Sequence, residues 1–272
     1  DDLNNGAVVQ HPDLGRLLIF DPTNTYVPVG FIPRILSNTD FLVDSDSCKS
    51  LFRFPHASVL DEVKTAITMD ASGGIVGTLS EINGDLAADT ERCRYRNLSR
   101  DEYKRMLNGW LRTNTNSAGL EEWSVTDDFE GNRFIIDLTF NAPNYARRIG
   151  PNKLLFKAFI PIAFSTVPEK AQDGKRLTPF TVPLEGMTKD TLITLPEGYE
   201  VDELPTDVTL EEEFGRVELR SSVEGNVVHV RLVANTTKMT LPADAYERLR
   251  AFFKVRDKAT QATVVIRRSG TK

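Results

Sequence analysis

The pattern of apolar and polar positions predicts a chain built mostly of β-strands with few helices. Arg16-Leu17-Leu18-Ile19-Phe20 is a short apolar run bounded by turn formers and reads as a buried strand. Residues 21–60 carry Pro22, Pro28, Pro33 and Pro55 with little periodicity, which predicts irregular connection and one short strand at Phe41-Leu42-Val43. The texture then changes. Val63 to Met69, the turn Ser72-Gly73-Gly74, and Ile75 to Ile82 form a predicted β-hairpin. The clearest helix follows. Ser99-Arg100-Asp101-Glu102 is a capping box, and Tyr103, Met106, Leu107, Trp110 and Leu111 fall on one helical face. A second hairpin runs from Glu122 to Phe129, turns at Glu130-Gly131-Asn132, and returns through Phe134 to Phe140. Strands on both sides of a helix suggest an α+β unit with the helix packed on an antiparallel sheet.

Residues 141–152 read as a linker, with Asn141-Ala142-Pro143 and Gly150-Pro151 bracketing Arg147-Arg148. Leu154 to Phe164 is a strand candidate interrupted by Pro161, and 165–186 a polar loop. Asp190 to Leu195 is a strand closed by Pro196-Glu197-Gly198. Val208 to Glu213, Arg216 to Ser221 and Val227 to Val233 read as a meander. Leu241-Pro242 precedes a helix whose Tyr246, Leu249, Phe252 and Phe253 face a core, and Thr263 to Ile266 closes the chain as a strand. The fold class predicted is α+β, mainly β. Its expected parts are a segment over 1–60, an α+β accessory domain over 61–145, and a β-sandwich-like domain with a carboxy-terminal helix over 150–272.

Composition narrows the function classes. Of 272 residues, 40% are hydrophobic and 26% charged, which is ordinary for a protein with a real core. The net charge of −6 argues against nucleic-acid binding, which needs a concentrated basic face. No apolar run approaches the length of a membrane span, and no secretory signal pattern is visible. The chain opens on Asp1-Asp2-Leu3 without Met, as expected of a piece cut from a longer protein. Cys48 and Cys93 make neither a CxxC pair nor a zinc spacing.

Candidate chemistry is sparse. Asp21 follows a strand and precedes Pro22, so it is either the opening of a β-turn or a carboxylate that orients a catalytic imidazole. His11, His56 and His229 show no metal-ligand spacing and read as structural; His229 alternates in Val227–Arg231 toward solvent or a sheet neighbour. Cys48 lies near Asp44 and Asp46, which disfavour a thiolate, and that loop lacks the Gly and distal Glu of a calcium hand. Ser72-Gly73-Gly74 lacks the Lys and helix of a phosphate loop, and Glu211-Glu212-Glu213 reads as a solvated edge. No cofactor is expected. Trp110 belongs to the apolar helix face. Trp123 is expected to be half exposed and is the best aromatic candidate for a binding surface. Carboxylate-pair hydrolysis is a further class, but no spacing brings two of the 39 acidic residues together.

At GRLLIFDPTNTYVPVGFIP, residues 15–33, the sequence resembles the carboxy-terminal edge of the transglutaminase-like fold of bacterial proteins with flanking β domains. In that family a strand ends in Asp-Pro-Thr and its Asp is the third member of a Cys-His-Asp triad. A Gly-x-x-Pro element follows, matched by Gly30-Phe31-Ile32-Pro33. LPADAYERLRAFFKVRDKATQATVVIRR, residues 241–268, is similar to the family's terminal helix and strand. Ser37-Asn38-Thr39-Asp40 departs from it, since a Gly is usual there. The resemblance implies that Asp21 is catalytic and that residues 1–60 are the tail of a papain-like core. The nucleophilic Cys and base His would precede this chain. Cys48 comes in the wrong order and His11 in the wrong kind of segment. A carboxylate without nucleophile or base is inert, so this chain by itself is not expected to be an enzyme. The implied function is the accessory region of a cysteine acyl-transferase or peptidase. Its partners would be the upstream catalytic core and a protein or peptide substrate, in an extracytoplasmic setting. The alternative is a non-catalytic binding or scaffold module of a cell-envelope protein.

Overall fold

The computed structural model describes residues 7–10, 17–20, 24–31, 40–45, 48–53, 59–113, 118–160 and 176–270. Two small hairpins come first: β1 (Ala7–Gln10) with β2 (Leu17–Phe20), then β3 (Asp40–Ser45) with β4 (Cys48–Arg53). A long hairpin follows, β5 (Val59–Met69) and β6 (Ile75–Asp85), and then two helices, α1 (Leu86–Asn97) and α2 (Arg100–Leu111). Next are β7 (Gly119–Asp128), β8 (Arg133–Ala142), β9 (Arg147–Ile149), β10 (Lys153–Lys157), β11 (Phe180–Thr181), β12 (Glu185–Thr194) and β13 (Tyr199–Glu203). The meander β14 (Val208–Glu212), β15 (Gly215–Glu224) and β16 (Val227–Thr236), then β17 (Thr240–Leu241), α3 (Tyr246–Thr260) and β18 (Thr263–Arg268) complete the order. Strand outweighs helix, 50% to 21%, which fits a mainly-β α+β fold.

The large sheet has eight strands in the order β14-β15-β16-β12-β5-β6-β8-β7. Its centre is a parallel pair: Thr188–Thr194 of β12 run beside Glu62–Thr68 of β5. The antiparallel sheet with one helix expected over 61–145 is therefore corrected in two ways. The sheet is mixed, and it carries two helices there. The sheet also draws on both sides of 141–152, read from sequence as a linker: strands from 59–142 and 185–236 hydrogen-bond into it together. The strands after residue 150 are shared between this sheet and a four-stranded one, β13-β18-β10-β9.

Period-two alternation decides which face is covered. In β5, Val63, Thr65, Ile67 and Met69 are buried while Lys64, Ala66 and Thr68 are exposed. The same inward face carries Leu79 on β6, Ile136 and Leu138 on β8, Ile193 on β12, and Val230 and Leu232 on β16. Against its β7 end packs α2, where Tyr103, Leu107 and Leu111 are at most 1% exposed. Ser99 caps that helix with the reciprocal Glu102 contact that the sequence predicts. Against the other end packs α3, where the Phe252 ring meets Phe214 edge-on at 5.3 Å. The four-stranded sheet joins the same core through Leu154, Phe156, Val264 and Ile266. It is tied to the large sheet's hairpin by the Tyr199 hydroxyl, which donates to the Ala71 carbonyl at 3.4 Å.

Helix α1 is not visible in the sequence pattern. Its buried positions include Glu91 and Arg92, so its inward face is charged, and no side chain caps its start at Asp85. A corner holds it instead. Asp85 and Asn132 both take positive φ, 51° and 47°, and bond reciprocally: Asp85 N–H donates to the Asn132 carbonyl and Asn132 Nδ2 to the Asp85 carbonyl, both at 3.2 Å. Asn tolerates the left-handed region better than most residues, which suits it to this turn.

The seam between β12 and β5 is tight at Gly186, where a Cβ would lie 2.4 Å from the Val59 carbonyl oxygen. Gly186→Ala should therefore destabilise the protein by about 1–3 kcal/mol in urea unfolding, the usual cost of overpacking. A change below about 0.5 kcal/mol would show that the seam is loose.

Candidate functional site

The sequence-predicted site residue, Asp21, lies outside the described residues, as do His11 and His56. What is described is its frame: β2 ends at Phe20, and the chain is defined again from Asn24 to Phe31. Asn24 Oδ1 accepts the Tyr26 N–H at 3.0 Å. Phe31 N–H donates to the Pro28 carbonyl at 3.2 Å around Gly30, whose φ of 94° suits the third position of a type II turn.

This loop is bonded to α1. Arg92, fully buried, donates through Nη1 to the Tyr26 carbonyl and to Asn132 Oδ1, and through Nε to Asp127 Oδ1 at 2.7 Å. Its guanidinium lies 4.8 Å from the centre of the Phe129 ring. Asn97 Nδ2 donates to the Tyr26 hydroxyl at 2.9 Å. A charge at full burial is stable only when paired, and Asp127 is that partner. Loop, helix α1 and the β7–β8 turn are thus locked at one point.

The remaining candidates fall apart. Cys93 is a free, half-buried thiol on α1 whose Sγ accepts a contact from Asn97 Nδ2 at 3.4 Å. Cys48 lies in β4. His229 Nε2 pairs with Asp190 Oδ1 at 2.7 Å, a cross-strand contact on the outer face. Glu212 and Glu213 pair with Arg248 at 3.4 and 2.7 Å. Trp123 is half-buried and turned inward, its ring 5.5 Å from Tyr103 and 5.1 Å from the Arg100 guanidinium, so it packs the core. Among the described residues no group of three or more His, Cys, Asp or Glu could hold a metal ion. No described helix is long and apolar enough to cross a membrane.

The structure assembles a polar site that sequence reasoning missed. Helices α1 and α2 cover one end of the sheet and α3 the other, which leaves a cavity of about 420 Å³ over the central strands. Its floor is Asp61 of β5 and Glu81 and Asn83 of β6; its walls include Glu91 and Arg94 of α1, Trp110 of α2, and Phe252 and Arg256 of α3. Lys189, 4% exposed, lies at the same level, because Val63 pairs with Glu81 on one side and Lys189 on the other. Glu91 is well held: it accepts the Tyr103 hydroxyl at 2.7 Å and the Arg94 guanidinium. Glu185 accepts from Arg256 at 2.6 Å. Asp61 Oδ1 and Asn83 Nδ2 have no hydrogen-bond partner. Asn83 stands close enough to Glu81 to favour its ionised form without making a well-formed bond.

The charges at this floor shift one another. Burial pushes Glu81 up to about 8, helped by repulsion from Asp61 and Glu91 and opposed by Lys189. Burial also raises Asp61, against the pull of Lys189. Burial lowers Lys189, against Asp61 and Glu81. A second concavity, about 680 Å³ and open, lies on the outer face of the sheet beside Ala66, Thr78, Ser80, Ser124 and Leu192.

Comparison with known proteins adds a partial assignment. Residues 152–266 match DUF3858, a domain of unknown function with solved structure. No curated protein matches the sequence. Among solved structures, the chain is similar to one from Parabacteroides distasonis described as a "putative protease", at 14% identity with a TM-score of 0.34. That match covers 43% of this chain and 24% of the other, so the likeness spans about a quarter of that protein's length.

The cavity makes stability pH-dependent with a definite sign. Between the ordinary 4.5 and about 8, the folded state keeps a proton on Glu81 that the unfolded chain has lost, so stability falls as pH rises through that window. Asp61 acts in the same direction. Lys189 acts oppositely, below its ordinary 10.5, because burial makes its folded form shed the proton early. Glu81→Gln should flatten the fall in melting temperature between 4.5 and about 8 and raise the melting point at the upper end. Thermal melts across that range check this, and an unchanged slope would contradict it.

Proposed function

We propose that this chain is the accessory region of a transglutaminase-like thiol enzyme, a cysteine acyl-transferase or peptidase. It supplies one orienting carboxylate, Asp21, and holds the loop that follows it. The observation that carries this reading is the placement of Asp21-Pro22-Thr23 directly after β2 and directly before a loop fastened to buried Arg92. An imidazole paired with a carboxylate keeps one tautomer and stabilises its charged form, and this works only when the carboxylate is held in place. Anchoring the Asn24–Phe31 segment to α1 is what an accessory domain can contribute to such a site.

In this reading the nucleophilic Cys and the base His belong to the catalytic core preceding residue 1, and the substrate is a protein or peptide amide. The same family resemblance favours an extracytoplasmic setting. Cys93 is not the nucleophile in this reading, since its Sγ meets the Asn97 amide rather than a base. A second reading, a non-catalytic binding module of a cell-envelope protein, is favoured by the cavity with its unpartnered polar atoms.

Two measurements separate these. In the protein that includes the preceding core, Asp21→Asn should lower acyl-transfer or amidase turnover by about a hundredfold or more, the scale for losing an orienting group, with an unchanged melting temperature. An equal loss of stability would make Asp21 a turn residue. In this chain alone, Cys93 should alkylate with iodoacetamide at neutral pH no faster than an ordinary thiol. Fast labelling would show an activated cysteine here and overturn the division of labour.

A further inference from the structure

We propose that the cavity over the β5–β12 seam binds a neutral amide group, with Asn83 donating to its carbonyl oxygen and Asp61 accepting from its N–H. This does not rest on the reading of Asp21. Asp61 and Asn83 are direct partners across the β5–β6 pair, so their side chains stand side by side on the inward face. One presents an unpartnered acceptor, Oδ1, and the other an unpartnered donor, Nδ2. Asn83 is 6% exposed and lines the cavity. Buried polar groups are paired in nearly all folded proteins, and an orphan donor beside an orphan acceptor is the complement of an amide. An ammonium group would leave Asn83 without an acceptor, and a carboxylate would face Asp61 with like charge.

The charge balance also favours a neutral ligand. Glu91 is matched by Arg94, Glu185 by Arg256, and Asp61 faces the attraction of Lys189. Glu81 retains its proton near neutrality, so the wall carries no net charge for a ligand to neutralise. The volume of about 420 Å³ suits a small ligand or one side chain with its neighbours, within the usual range of about 300–1,000 Å³ for binding pockets. Trp110, Met187 and Phe252 offer apolar wall for its hydrocarbon part. Both orphan atoms are buried, but the terminal torsions of Asp and Asn are soft, so either group turns toward the cavity at low cost.

The test uses the full chain and four probes with one hydrocarbon tail: pentanamide, N-methylpentanamide, pentylamine and pentanoate. The readout is NMR of the two tryptophan indole N–H signals and the Asn83 side-chain amide. Trp110 lines the cavity and Trp123 does not, so Trp123 is an internal control. The expected result is saturable movement of the Trp110 and Asn83 signals with an amide probe at millimolar concentration. The amine and the carboxylate should bind at least tenfold more weakly. Pentanamide should bind more tightly than N-methylpentanamide, because a primary carboxamide has its C=O and one N–H on the same side whereas a trans secondary amide points them opposite ways; the reverse order would overturn the side-by-side pairing. Preference for the amine, or no saturable shift with either amide, overturns the proposal. Asn83→Ala should weaken amide binding at least tenfold with an unchanged melting temperature. Retained binding, or a large loss of stability, would show that the Asn83 amide is not waiting for a ligand, and would also overturn it.

Discussion

The parallel pairing of β5 with β12 is the constraint on which the rest of this molecule depends. Every other strand pairing among the described residues is antiparallel, and most join strands close in sequence. This one joins residues 126 positions apart, as in Thr188 with Glu62, and fuses two antiparallel sets into one sheet. Parallel neighbours require a long crossover, and here it contains α1, α2, five strands and the segment around β11. Those helices land on one half of the sheet and α3 on the other. The seam therefore lies in the gap between the two groups of helices, with α1 packing on its β5 side. That is where polar side chains occur in an otherwise apolar layer, and where the cavity opens.

A second interlock sits on another face of α1. Arg92 is buried because it has four things to hold: a carboxylate, a side-chain amide, a backbone carbonyl and an aromatic ring. The desolvation of a guanidinium is offset only by such a set, so loss of any member would leave charge or dipole exposed to a poor environment. Through this residue the loop after Asp21 is fixed to the β7–β8 turn. Helix α1 thus has two faces of use, Arg92 toward the Asp21 loop and Glu91 toward the cavity, and neither is apolar.

That is also why the sequence reveals some elements and hides others. The capping box at Ser99, the hairpin turn at Ser72-Gly73-Gly74, the meander from Val208 to Val233 and the helix bearing Tyr246 are local signals, and the structure carries each of them. Helix α1 is hidden because periodicity searches look for apolar stripes, and its buried stripe is Leu86, Ala88, Glu91 and Arg92. The segment 141–152 looks like a linker because Pro143, Gly150 and Pro151 punctuate it, yet it contains the end of β8 and all of β9. The seam leaves no local mark at all. Asp61, Glu81 and Lys189 each interrupt the inward register of a different strand, and only the pairing shows that the three interruptions coincide.

The most direct test of this account is whether the chain on both sides of the seam unfolds as one unit. Hydrogen exchange read residue by residue through a urea titration measures this, because each backbone amide reports its own opening. The account predicts that the amides of β5 and β6 and those of β12 and β16 share one opening free energy and one urea dependence. Two separate transitions, with β12 and β16 opening while β5 and β6 stay protected, would contradict it.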